Sequence, residues 1–447
     1  MLTIRGERVV LPEGVRPAAI LVRDGKIARV GGYQEQASAI PVLDAGPLVI
    51  MPGVVDTHVH FNEPGRTEWE GFESGTRAAA AGGVTTVVEM PLNSIPATTT
   101  VQGLQQKIRA ASGRCHVDLG FWGGVVPGNT AELAPLADAG VLGFKCFLSP
   151  SGVDEFAHVS EADLRQALPV LATLDRPLLV HAELPSELRD PEHGADPREY
   201  RSWLATRPAR AERRAVELLV HLAREYNVRV HVVHLATGEA LDALRAARAD
   251  GVRISAETCP HYLAFCAEDI PVGGTAFKCA PPIRERAEQN VLWQALASGD
   301  IALVASDHSP APPAMKRLAD GNFLEGWGGI ASIQVSLAAV WTQASPRGFG
   351  LEDLARWMAE APATLAGLRH KGRIAAGCDA DFVFWDPDRE FSVDPAALHH
   401  RHPVTPYAGA RLRGVVHQTL LRGHTIYEEG QFTAPAGELQ FAKIAGQ

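Results

Sequence analysis

Two histidines one residue apart, His58 and His60 in DTHVHFNEPG, stand directly after the apolar run PLVIMPGVV. Lys145 in GFKCFL, His181 in LLVHAE, His234 in VHVVHLA and Asp307 in ASDHS also sit at the ends of apolar runs. On an extended strand, residues two apart point to the same face, so His58 and His60 share one direction. Two imidazoles on one buried face need a polar partner, and a divalent cation is the usual one. Lys145 does not fit as it stands, because an ammonium has three donors and no lone pair. Buried beside histidines and a metal it would lose its proton. The neutral amine could then take up carbon dioxide as a carbamate whose two oxygens bridge two cations. The alternative is a Lys145–Asp307 ion pair in a metal-free core.

Four histidines, one carbamylated lysine and one aspartate suit two divalent ions sharing a hydroxide. Zinc is expected, with cobalt, manganese or iron as alternatives. Such ions acidify water and polarise a carbonyl, and Asp307 could be both ligand and the base that returns a proton to a leaving nitrogen. The reaction class is hydrolysis of an amide-like or phosphoester bond. No cluster of Arg or Lys accompanies the set to receive a phosphate, which favours the C–N bond. Two nearby histidines are set aside. His231 lies three residues before His234, hence on the opposite strand face, and is assigned to packing or a helix contact. His308, adjacent to Asp307, cannot share its direction.

These residues need elements to hold them. Eight apolar, strand-like runs alternate with helix-like runs of 3.6-residue period: LVIMPGVVDTHVHF, VTTVVEM, HVDLGFWG, VLGFKCFL, RPLLVHAE, VRVHVVHLA, VRISAETC and IALVASDHS. Near-continuously apolar strands, each followed by a helix, predict a parallel (β/α)8 barrel, an α/β fold whose functional groups project from the C-terminal strand ends. A doubly wound sheet would want a glycine-rich phosphate turn after its first strand, and none occurs. Residues 1–50 and 371–447 instead alternate apolar and polar residues between turn signals such as Asp24-Gly25. Neither end has enough strands for a core, so the two are expected to meet in one small β-sandwich domain beside a barrel over 51–370. The stretch around 310–330, APPAMKRLADGNFLEGWGGI, reads as a long loop over the active face.

A chain of 447 residues with 46% apolar residues and a net charge of −10 suits one large domain plus a smaller one. The acidic balance argues against nucleic acid as a partner, and no run approaches the ~20 apolar residues of a membrane span. The opening MLTIRGERVVLPEG is too charged for a signal peptide. Six cysteines without a CxxC pair form neither a disulfide framework nor a thiolate zinc site. A cytoplasmic location is the expectation.

DTHVHFNEPG, GFKCF, HAE, HVVHLAT, ETCPHYL and SDHSP together resemble the cyclic amidohydrolases, the family of dihydroorotases, hydantoinases and allantoinases. The longer matches HFNEPGRTEWEGF, EMPLNSIPATT, KCAPPIR, DHSPAPPAMK and FLEGWGGI are most similar to the allantoinase branch. The resemblance spans nearly the whole chain, both ends included. It implies that His58, His60, Lys145, His181, His234 and Asp307 are the ligands of two metal ions, with Lys145 carbamylated (N6-carboxylysine) and bridging. It implies ring-opening hydrolysis of allantoin to allantoate, a step of purine catabolism, by a homotetramer. A hydantoinase, dihydropyrimidinase or dihydroorotase activity on another cyclic ureide is the alternative, and a non-catalytic scaffold that kept the barrel is a further one. Dihydroorotases carry an Arg two residues after the second His of HxH to pair with a substrate carboxylate. Asn62 stands there in this chain, which disfavours an anionic ring. Amide and hydroxyl groups suit a neutral ureide, making Asn62, Asn93 in MPLNS and Ser309 candidate substrate contacts. Arg66 and Glu68 read as loop-ordering charges, and Trp327 as either lid or packing residue.

Overall fold

The computed structural model describes residues 1–35 and 40–442; the expected terminal segments also include 36–39 and 443–447, which lie outside the described residues. From the N-terminus, β1 (Leu2–Leu11), β2 (Gly14–Arg23) and β3 (Lys26–Gly31) form an antiparallel meander, followed by β4 (Val42–Asp44) and β5 (Val49–Pro52). Asp24, at φ 51, and Gly25, at φ 75, make the left-handed turn between β2 and β3, which accounts for the Asp-Gly signal.

The first apolar run is two strands rather than one. β5 pairs with the chain-end sheet, and after Gly53 the chain enters β6 (Val54–Val59), the first barrel strand. A side chain at Gly53 would collide with Thr85, so the crossing needs glycine. The expected boundary at 50/51 thus falls inside β5.

The barrel continues through β7 (Val84–Glu89), β8 (Asp118–Phe121) with its extension β9 (Gly123–Gly124), β10 (Phe144–Phe147), β11 (Leu178–His181), β12 (Val230–Val232), β13 (Ile254–Thr258) and β14 (Leu303–Val304). All neighbouring pairs are parallel. The ring closes where Val59 bridges His308 and the His60 N–H donates to the His308 carbonyl at 2.8 Å. Every expected strand is present, because burial on both faces makes each run apolar throughout. Helices intervene as the periodicity predicts. In Glu161–Leu174, Ser160 and Asp163 form a capping box, and Leu164, Ala167, Leu168 and Leu171 make the buried stripe.

After the barrel, β15 (Phe382–Ser392), β16 (Arg411–Leu421), β17 (His424–Glu428) and β18 (Gln431–Phe432) rejoin the N-terminal strands in a nine-stranded sheet of order β18-β17-β16-β15-β5-β1-β2-β3, with β4 on β1. Ile4, Ile20, Ile50, Phe382, Phe384 and Leu420 share its core. The two chain ends therefore build one β domain, as expected. A last short strand, β19 (Leu439–Gln440), leaves it and pairs with β8 of the barrel. Among the described residues no helix is long and apolar enough to cross a membrane.

Candidate active site

All six candidate ligands line one cavity of about 220 Å³ at the C-terminal face of the barrel. His58 lies in β6 and His60 just past it, and His181 closes β11. Lys145 sits within β10 rather than at its end, paired in register with Leu179, so that it shares a face with His181. His234 and Asp307 follow their strands by two or three residues, and both have left-handed backbones, φ 41 and φ 46. Non-glycine residues held at positive φ store local strain, a cost tolerated mainly where a side chain must be aimed.

That conformation also changes the reading of His231. Simple alternation places His231 and His234 on opposite faces, but the turn at His234 redirects it inward, and both rings lie inside the barrel. His231 Nε2 is 3.0 Å from Glu257 Oε2. His308 is structural, as expected: its Nδ1 accepts the backbone N–H groups of Ser332 and Ile333 at 3.0 and 3.3 Å.

Whether this set suits metal ions follows from its hydrogen bonds. His58 Nδ1 is 2.5 Å from Glu257 Oε1. A carboxylate only accepts, so Nδ1 carries the proton and Nε2 is left with a lone pair. That lone pair faces Asp307 Oδ1 at 3.2 Å, and His60 Nε2 faces the same oxygen at 3.3 Å. On the other side, His181 donates from Nε2 to Glu183 at 2.7 Å, which leaves its Nδ1 lone pair facing His234 Nε2 at 3.0 Å. Lone pairs that converge at buried side chains are reconciled by cations between them, and the ligand atoms of His58, His60 and Asp307 fall within 4.8 Å of one another. Burial pushes all four imidazoles below their ordinary range, into the neutral form a metal requires.

Lys145 is fully buried and its Nζ has no hydrogen-bond partner; it packs 4.6 Å from the Phe147 ring centroid and makes no ion pair with Asp307. Burial lowers the Lys145 ammonium to about 8.

Among the substrate candidates, Asn93 and Ser309 line the cavity, and Asn62 does not. Asn62 is fully buried in a left-handed turn, φ 64, where its amide donates to the Pro310 carbonyl at 3.5 Å and its N–H to Glu89 at 3.3 Å. The chain turns away immediately after His60, so the third alternating position no longer faces the cavity. Asn93 has the same left-handed backbone, φ 64, and its buried Oδ1 has no partner. Arg66 is a loop-ordering residue: it pairs with Glu155 and donates to the Asn93 carbonyl at 3.1 Å. His402 Nε2 lies 2.7 Å from the backbone carbonyl of Glu68. Trp327 both lines the cavity and packs edge-on against Trp69 at 4.9 Å. The loop carrying it is tied down by Lys316, which donates to the Trp327 and Gly329 carbonyls at 3.0 and 2.6 Å.

The expectation that no Arg or Lys accompanies the ligands needs correcting. Arg207 and Lys278, distant in sequence, both line the cavity and pack on the Trp203 indole, 4.9 and 4.0 Å from its centroid. Neither makes a phosphate site. Arg207 is committed to Glu183, whose carboxyl is held at about 2 by Arg207 and His181 despite its burial. Lys278 is lowered by burial, with Lys316 nearby, to about 7.

Glu183 and Glu257, which hydrogen-bond the candidate ligands His181 and His58, are the residues of this site that the sequence reading passed over. Glu183 carried a signal, since it follows His181 by two residues in LLVHAE and so shares its face. Glu257 carried a weaker one, as the one charged residue of the strand Ile254–Thr258.

The allantoinase of Streptomyces avermitilis is 51% identical over 439 residues, 98% of each chain, and that of Arabidopsis thaliana is 44% identical over 98% of this chain and 90% of its own. The solved L-hydantoinase of Arthrobacter aurescens superposes with a TM-score of 0.94 at 30% identity, over 99% of both chains. The model of the amidohydrolase family matches residues 49–426, from β5 to within β17 and across every ligand strand, and the chain belongs to that family.

Proposed function

We propose that this protein is an allantoinase, opening the hydantoin ring of allantoin by hydrolysis to give allantoate. The observation that carries this reading is end-to-end identity of 51% with a protein of that name, joined to a cavity in which six ligand-type side chains converge. His58, His60, Lys145 as its carbamate, His181, His234 and Asp307 would hold two divalent ions, zinc first among them. Bound there, the ions would supply Lewis acidity, acidifying water and polarising the ring carbonyl.

The chain's own residues do the rest. Asp307 takes a proton from the water that adds to the ring carbonyl carbon. It returns that proton to the ring nitrogen as the C–N bond breaks, leaving a carboxylic acid that loses its proton to water. Asn93 and Ser309 offer an amide and a hydroxyl to the ring and its ureido tail. Position 62 bears on specificity through what it lacks, because an Asn turned into the wall provides no guanidinium for a ring carboxylate. The family likeness supports a homotetramer, and the charged N-terminal sequence supports a cytoplasmic location.

A substrate panel on one zinc-quantified sample tests the reading. Turnover of allantoin should exceed that of hydantoin, dihydrouracil and dihydroorotate by at least about tenfold, roughly 1.4 kcal/mol in transition-state binding. Faster turnover of dihydroorotate overturns it, and a preparation that binds no divalent ion favours the non-catalytic scaffold.

The carbamate makes its own pH prediction. Only the neutral amine of Lys145 reacts with carbon dioxide, and its neutral fraction rises with pH through about 8. At fixed dissolved carbon dioxide, metal-stripped protein given zinc should recover several-fold faster at pH 8 than at pH 7 and level off above about pH 9. Labelled carbon dioxide should give a carbamate resonance that Lys145→Ala lacks. Recovery indifferent to carbon dioxide would remove Lys145 as a bridge.

A further inference from the structure

Behind the ligand histidines, a file of hydrogen bonds crosses the barrel interior. Ser255 and Glu257 share one face of β13, and His231 on β12 is paired in register with Ser255. Ser255 Oγ lies 2.8 Å from His231 Nδ1, His231 Nε2 lies 3.0 Å from Glu257 Oε2, and Glu257 Oε1 lies 2.5 Å from His58 Nδ1. His231, Glu257 and His58 are all at most 1% exposed.

The proton placement in this file has one consistent solution. Glu257 accepts from both rings, so His231 is protonated on Nε2 and His58 on Nδ1. His231 Nδ1 is then an acceptor, and the Ser255 hydroxyl, which can rotate, supplies its donor. Both carboxylate oxygens are engaged, which prevents Glu257 from swinging toward Lys145 or the ligand pocket. His58 is left with one orientation and one lone pair, directed at Asp307 Oδ1.

We propose that His231 is a positioning residue for the metal centre: acting through Glu257, it holds His58 in the tautomer and orientation that present Nε2 to a metal ion. The proposal rests on the assignment of His58 as a metal ligand. Partners that orient ligating histidines typically change metal affinity by about 10–100-fold when removed. His231 stands one contact further out, so the lower end of that range applies.

The test uses the full chain and reads metal binding without substrate. In His231→Gln the amide nitrogen can replace Nε2–H as donor to Glu257, whereas His231→Leu cannot donate. The expected result is that zinc bound at buffered free zinc shows about tenfold weaker affinity for His231→Leu and stays within about threefold of the parent for His231→Gln. The visible spectrum of the cobalt-substituted protein should shift in the Leu variant and stay near the parent in the Gln variant. A Leu variant that is merely less heat-stable, with parental zinc affinity and cobalt spectrum, overturns the proposal. Should Leu at 231 prevent folding, Ser255→Ala probes the same file, with about threefold weaker zinc binding expected and an unchanged affinity overturning it. Failure of the parent to open allantoin would instead count against the proposed activity and leave this measurement standing.

Discussion

Asp307→Asn is expected to lower kcat on allantoin by about 10³-fold or more, equivalent to roughly 4 kcal/mol, while KM stays within a few-fold. The carboxylate is held at the end of the eighth strand by a left-handed backbone, with Oδ1 3.2 Å from His58 Nε2 and 3.3 Å from His60 Nε2. The Asn amide has nearly the same shape and so preserves the packing. It cannot take a proton from water or return one to nitrogen, and its oxygen is a poorer partner for a cation than a carboxylate. Quantifying zinc on the same sample separates the two roles. Lost activity with metal retained assigns the loss to proton transfer, and lost metal assigns it to ligation. Full turnover in the variant would sink the role of Asp307 in this mechanism.

The convergence of the six candidate ligands on one cavity was legible in the chain because a barrel strand is apolar almost throughout, so a polar residue at its C-terminal end stands out. Two-residue alternation sufficed for His58 with His60, and it applies equally to His181 with Glu183. It failed wherever the backbone left the strand regime. His234 turns inward at φ 41, which made His231 look outward by contrast, and Asn62 turns into the wall at φ 64. Neither conformation follows from residue type, since histidine seldom adopts it and asparagine does so in only some turns. The split of LVIMPGVV between two sheets was hidden for a related reason: both strands are buried, and only contact with Thr85 shows what Gly53 is for. Arg207 and Lys278 were illegible because neither lies at a strand end. They reach the cavity by packing on Trp203 of the short helix Tyr200–Leu204, and no local spacing encodes the meeting of Lys278 with it.

Lys371→Met tests what joins the barrel to the domain built from the chain ends, and it should cost about 3–5 kcal/mol. Asp118 opens β8 of the barrel, at the end opposite the ligands. The Lys371 ammonium, 4% exposed, lies 2.6 Å from Asp118, 2.7 Å from Asp381 and 2.9 Å from Asp379. Arg422 pairs with Asp118 at 2.6 Å, and its backbone N–H donates to Asp381 at 2.8 Å. The three aspartates resemble a cation site by their clustering, but the ammonium occupies its centre. Burial alone would lower Lys371, and the surrounding carboxylates raise it far above the ordinary lysine range, so it remains charged. Methionine is close in volume, and its loss of charge leaves Asp118 and Asp381 buried with Arg422 as their chief counterion. Breaking a buried ion pair from one side is far more costly than never having it, because the stranded charge keeps its desolvation penalty. A fall in melting temperature of roughly 5 °C or more is expected, with kcat of the surviving native protein near the parent's because the cluster lies across the barrel from the cavity. Adding Asp381→Asn to Lys371→Met should recover part of the loss, since it removes one of the stranded charges. A single variant as stable as the parent would show that the Lys371 ion cluster does not hold the two domains together.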